Sequence, residues 1–256
     1  MQARASNRLL SYALAALLLW VGIGLPTAQA SEPVVVYSAR NEQLIKPLFD
    51  RFTAETGIPV RFTTADAAVL IERLAAEGKN SPADMLMTVD AGELWNAANR
   101  GLLRPTRSKT LDANIPATLR DPGNRWVGLS QRARTIVYHP DRVDPRKLGT
   151  YEDLADPAWR GRLCLRSSKK VYNQSLVAMM IKTRGEAATE ATIRGWVANL
   201  AAPPFANDNQ VMEAIAAGQC DVGIVNTYYL GRLLQKQPNF PVKVFWANQR
   251  LSLIHI

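Results

Sequence analysis

The stretch Val222-Gly223-Ile224-Val225-Asn226-Thr227-Tyr228-Tyr229 decides how the chain reads. Its apolar opening has the length and composition of a buried strand, and Leu230 to Lys236 continues at helical spacing. Tyr228 and Tyr229 therefore fall where a strand ends and a helix begins, at the carboxyl edge of a sheet. Ligands bind at that edge in open α/β folds. A phenol whose proton is displaced by a cation is a hard, anionic oxygen donor, so an adjacent pair suits a hard metal ion. The plainer reading packs one tyrosine against the sheet and leaves the other at the surface.

Composition is that of a globular protein: 256 residues, 47% apolar and 21% charged. Residues 1–30 read as a secretory signal peptide. Arg4 and Arg8 precede the apolar run Ala13 to Leu25, and Ala28-Gln29-Ala30 supplies the small-residue cleavage pattern. Setting that segment aside leaves 29 basic against 22 acidic residues, a net charge of +7. The basic residues are scattered rather than gathered into a stripe, which argues against nucleic acid and for a cleft that attracts anions. In an exported chain, Cys164 and Cys220 are expected to form a disulfide. Each lies eight residues before a tyrosine, Tyr172 and Tyr228, and each precedes a short apolar segment. A bridge between neighbouring strands at one level is expected.

Strand and helix patterns alternate from Pro33. Val34–Tyr37, Val60–Thr63 and Asp84–Val89 read as strands, with helices beginning near Glu42, Ala67 and Ala91. That order argues for a parallel sheet covered by helices. Trp126–Leu129 and Arg134–Tyr138 read as two more strands, with the crossing into a second lobe near Ser130. Thr150 and Asp153 fit a capping box at the start of a helix. A strand is expected at Arg162–Leu165 and helices over about 174–183, 186–200 and 210–217. The fold class is α/β, with lobe 1 over 31–129, lobe 2 over 130–241, and a strand within 242–250 returning toward lobe 1. Residues 251–256 carry no cap or turn chemistry and read as a non-native tail, so the C-terminal part is expected to be truncated.

Several motifs occur together in a familiar order. They are Tyr37-Ser38-Ala39-Arg40, Thr88-Val89-Asp90-Ala91, Leu129-Ser130-Gln131-Arg132-Ala133-Arg134, Arg166-Ser167-Ser168 with Tyr172-Asn173-Gln174-Ser175-Leu176, and Asn226-Thr227-Tyr228-Tyr229. They resemble the periplasmic ferric-ion-binding proteins that feed ABC iron importers, particularly the branch that uses several tyrosines. The resemblance implies a two-lobe periplasmic-binding-protein fold, type II-like, with a strand hinge, closing on Fe³⁺. It also implies that Tyr228, Tyr229 and Tyr172 are the metal ligands. An inner-membrane ABC permease is the implied partner, and the chain is expected to act as a monomer without catalysis. Three phenolates would balance a trivalent cation, and competition with protons would weaken binding in acid.

The chain departs from that family after Arg40. Many members place histidine and then tyrosine there, both ligands, whereas this chain has Asn41 and Glu42. Asn41 reads as a helix cap, and Glu42 as either a solvated residue or an added oxygen donor. The other way to complete the site is a synergistic anion, carbonate by resemblance, anchored by Arg40 and Arg132. Asp90 reads as a cap. Only His139 and His255 are present, which argues against zinc, nickel or copper. Two other readings stand beside iron: the same fold binding a small organic anion, phosphonate or polyamine, and a secreted enzyme using Cys164 as nucleophile.

Overall fold

The β-branched run Val34-Val35-Val36 and the apolar segments after it build the first of two sheets. The computed structural model describes residues 31–248, so the expected signal peptide and terminal tail lie outside the described residues. β1 (Val34–Ser38), β2 (Val60–Thr64) and β3 (Met85–Met87) form a parallel sheet in the order β2-β1-β3. Helices α1 (Glu42–Thr56), α2 (Ala67–Glu77) and α3 (Ala91–Asn99) connect and follow the strands. Side chains alternate across the sheet, as a strand period of two requires. Val36 packs with Ile45 and Phe49 of α1, while Tyr37 packs with Leu70 and Leu74 of α2. The order of these elements is the βαβαβ unit expected from the sequence.

Residues 100–133 contain one short α-helix, α4 (Lys109–Asn114), a 3₁₀ turn (Ala117–Leu119) and other turns. Trp126–Leu129 does not add a strand to either sheet; its strand-like pairing is a single antiparallel bridge, Arg120 to Val127. Local chemistry explains the difference. Asp121 accepts hydrogen bonds from the Arg125 backbone and guanidinium, Asn124 takes a positive φ of 56°, and Gly128 N–H donates to Leu119. The segment closes on itself as a tight turn.

The second sheet is mixed. β4 (Arg134–Tyr138), β5 (Leu163–Cys164), β6 (Val222–Asn226) and β7 (Lys243–Phe245) lie in the order β5-β6-β4-β7, with β4 antiparallel to both neighbours. β7, expected to return toward the first lobe, adds to the edge of this sheet beside β4. Every residue of β4 and β6 is buried, which is why Ile136–Tyr138 and Val222–Val225 read as continuous apolar runs rather than alternating ones. Ile136, Val222 and Ile224 face one core with Trp159, Leu176 and Trp196; Val137 and Val225 face the other with Val211 and Ile215. α5 (Val171–Arg184) and α6 (Glu186–Ala198) cover the first face, and α7 (Asp208–Ala216) and α8 (Thr227–Lys236) the second.

The capping box is made: Thr150 N–H donates to Asp153 Oδ2 at 2.7 Å and Asp153 N–H to Thr150 Oγ1 at 3.1 Å. Only a single 3₁₀ turn, Glu152–Ala155, follows it. Asp156 precedes Pro157 and sits at ψ 135°, as the proline ring demands, so the helix stops there.

Cys164 and Cys220 are bonded, with Cα atoms 5.9 Å apart. Because Cys164 pairs in register with Gly223, the bridge ties β5 to the segment entering β6 rather than to a residue directly opposite. Gly223 is needed at its own position. A Cβ there would meet Val211 Cγ1 at 2.7 Å and the Cys164 carbonyl oxygen at 2.8 Å. Gly223→Ala is expected to destabilise the protein by about 1–3 kcal/mol through overpacking, read as a lower urea midpoint at unchanged slope.

Candidate functional site

Two helix starts and one loop bring the site together. Tyr228 and Tyr229 occupy the first turn of α8, immediately after β6. Tyr172 occupies the first turn of α5, and Arg40 lies in the loop between β1 and α1. The Tyr228 and Tyr229 rings lie 4.3 Å apart, centroid to centroid, at 30°. The Arg132 guanidinium stands 5.7 Å from the Tyr172 ring centroid and 5.7 Å from that of Tyr228, so the two rings flank one cation. Arg166 lies 5.4 Å from the Tyr172 ring and Arg232 5.1 Å from the Tyr228 ring. Tyr172, Tyr228 and Tyr229 are all half-buried.

Burial pushes the Tyr228 phenol well above its ordinary range, and its hydrogen bond with Tyr229 and the neighbouring Tyr172 phenol push the same way. Without a cation that phenol stays protonated at neutral pH. Arg40 is half-buried, and its guanidinium makes no hydrogen bond or ion pair among the described residues. Burial lowers its pKa and the nearby Arg132 charge lowers it further, while Tyr172 and Tyr228 oppose both. Arg40 thus faces phenols carried by the second sheet across the gap between the sheets.

That gap is also bridged directly. Arg132 Nη1 donates to the Val89 carbonyl oxygen, and Ser175 Oγ donates to Asp90 Oδ2 at 2.9 Å. Asp90 caps α3 as expected, accepting from Gly92 N–H at 2.8 Å. Beside Arg132, burial, aided by Asp90, raises the Glu93 carboxyl to about 7.

Asn41 caps α1, accepting from Gln43 N–H at 3.0 Å. Glu42 is exposed in the first turn of that helix, and no interaction ties it to the tyrosines among the described residues. The structure therefore gathers Tyr172, Tyr228, Tyr229, Arg40 and Arg132 and leaves Glu42 at the rim. Both cysteines are bonded, which takes away the thiolate that a Cys164 nucleophile needs.

The sequence reading missed what lies behind the phenols. Asp208 is fully buried at the start of α7, between Arg134 Nη1 at 3.0 Å and Arg166 Nη1 at 3.2 Å. Its Oδ2 also accepts from Asn226 N–H at 2.9 Å. Arg134 Nη2 donates to Asn173 Oδ1 at 2.7 Å, and Arg134 Nη1 to Asn226 Oδ1 at 3.2 Å. Asn173 directly follows Tyr172 and Asn226 lies two residues before Tyr228, so one buried ionic cluster holds both helix starts. An arginine opening an otherwise apolar strand was the available signal, since a buried guanidinium needs an acid.

Comparisons with known proteins agree with this layout. Residues 80–250 match the bacterial extracellular solute-binding protein family. The chain is 43% identical over 236 residues to Iron uptake protein A1 of Synechocystis, covering 90% of this chain and 66% of that protein. It is 46% identical over 203 residues to Iron uptake protein A2 of the same organism, covering 79% of this chain and 57% of that protein. It therefore spans under two thirds of the length of these relatives. A Trichodesmium FutA structure with iron and citrate ligands superposes with a TM-score of 0.81 at 43% identity, covering 87% of this chain and 72% of that one. The described fold is thus the two-lobe α/β architecture of these proteins, and the chain belongs to the bacterial extracellular solute-binding proteins.

Proposed function

We propose that this protein captures Fe³⁺ between its two lobes with the phenolate oxygens of Tyr172, Tyr228 and Tyr229, and delivers it to an ABC importer in the inner membrane. The observation that carries the reading is the meeting of Tyr172 with the tyrosine pair around the Arg132 guanidinium, from helices 56 residues apart in sequence. The iron-uptake role of relatives more than 40% identical supports it. Three phenolates neutralise the ion. Arg40 and Arg132 then leave the site with surplus positive charge, which favours a small anion as a further ligand. Carbonate fills that place in this reading; Glu42 is the protein-derived alternative, reached only if its helix start swings inward. The protein works in the periplasm as a monomer, and exchanges no covalent bond with its cargo.

Tyr228→Phe and Tyr172→Phe should each weaken ferric binding at least tenfold in competition against citrate, because each removes one anionic ligand without changing ring volume. Equal binding by wild type and both variants overturns the site. A small organic anion as sole cargo is the other reading, favoured by the number of guanidiniums around the rings. It requires binding without iron, and it expects no colour when ferric citrate is added.

A further inference from the structure

Asn226 is 2% exposed and sits at the end of β6, two residues before Tyr228. Its side-chain oxygen faces Arg134 Nη1 at 3.2 Å. Because a guanidinium has donors and no acceptor, the amide must present its oxygen to Arg134 and turn its nitrogen the other way. The backbone N–H of Asn226 is held by Asp208, so the amide has little freedom to rotate. Its Nδ2 is then a buried donor with no hydrogen-bond partner among the described residues. An unpaired buried donor is costly, so its persistence calls for a partner that appears in another state.

We propose that Asn226 is a positioning residue for the metal site, donating its amide N–H to the Tyr228 oxygen when that oxygen becomes a phenolate ligand. The inference rests on the ferric reading above and adds a residue to it. A phenolate accepts a hydrogen bond more strongly than a phenol, so the contact strengthens as the cation binds. One lone pair held by Asn226 leaves the others directed at the cleft. Arg134 and Asp208 fix the amide, so the ionic cluster transmits its rigidity to a ligand it does not touch.

The test uses the whole chain with ferric citrate as the iron source. Asn226→Ala removes the donor and the acceptor. Asn226→Asp keeps an oxygen for Arg134, removes the donor and adds a negative charge. Both variants are expected to lose 10- to 100-fold in ferric affinity, and the phenolate-to-iron absorption band should shift in position. Thermal melts of both variants check folding, since Asn226→Asp sets a second carboxylate beside the buried Asp208. In a Tyr228→Phe background the same substitutions should change affinity less than about twofold, because the atom they act on is gone. A purely structural role would weaken both backgrounds equally, and that result, or wild-type affinity and band position in both Asn226 variants, overturns the inference alone. A wild-type protein with no absorption band on iron addition overturns the ferric reading and this inference together.

Discussion

Ferric affinity should fall by up to about a thousandfold for each unit of pH between 8 and 6. A phenol in water loses its proton near pH 10, and burial holds Tyr228 above even that range. In the proposed site, each phenol that becomes a ligand gives up one proton when the cation arrives. Every proton so released multiplies the apparent binding constant by about ten for each unit that pH rises. The sign is fixed by the chemistry: acid returns protons to the oxygens and competes with the metal, so binding weakens as pH falls. Three phenols give the limiting slope, and two give about a hundredfold. Competition against a chelator of known protonation constants measures it, and a slope near zero would leave the phenols without a part in binding. The same dependence offers a route to release, because a small local fall in pH removes much of the affinity.

Asp208→Asn should cost about 3–5 kcal/mol of folding stability, the loss expected when one partner of a buried charge cluster is removed. Asp208 is fully buried and satisfies Arg134, Arg166 and the Asn226 backbone at once. An asparagine can accept from one guanidinium, but its amide nitrogen then faces donors on the other side. Burial already disfavours the charged form of Arg134, and the Asp208 carboxylate is the main influence opposing that. Urea denaturation of wild type and variant measures the loss. A change under about 1 kcal/mol would mean that water or a rearranged side chain replaces the carboxylate. Ferric binding should weaken as well, since Asn173 and Asn226 hold the starts of α5 and α8 through Arg134.

Much of this was legible from residues alone. Apolar runs at Val34, Val60, Arg134 and Val222 marked strands because their hydrophobic period is short and their ends carry turn residues. Tyr228 and Tyr229 could be placed at a strand-to-helix junction for the same reason, and the cysteine pair followed from the export pattern. Two elements were misjudged because local backbone chemistry outweighed hydrophobic pattern. Trp126–Leu129 reads as a strand, yet Asp121 and Arg125 close a turn that uses its hydrogen bonds locally. Thr150 and Asp153 cap a helix start that Pro157 cuts to a single turn.

The ionic cluster was invisible for a different reason. Arg134, Arg166 and Asp208 are separated by 32 and 42 residues, and nothing in their spacing links them. Their pairing is a property of the folded core, where burial makes each charge intolerable without the other. The same holds for the convergence of Arg40 with Tyr172 and Tyr228, which depends on how the two sheets face each other. A sequence motif could name those residues but could not place them in one cleft.

Titrating the purified protein with ferric citrate while recording the visible spectrum tests the central claim most directly. A red phenolate-to-iron charge-transfer band should grow to saturation at one iron per chain. It should weaken in Tyr172→Phe and in Tyr228→Phe. A colourless protein at saturating iron, or a band indifferent to both substitutions, would contradict the assignment of these tyrosines as the ligands.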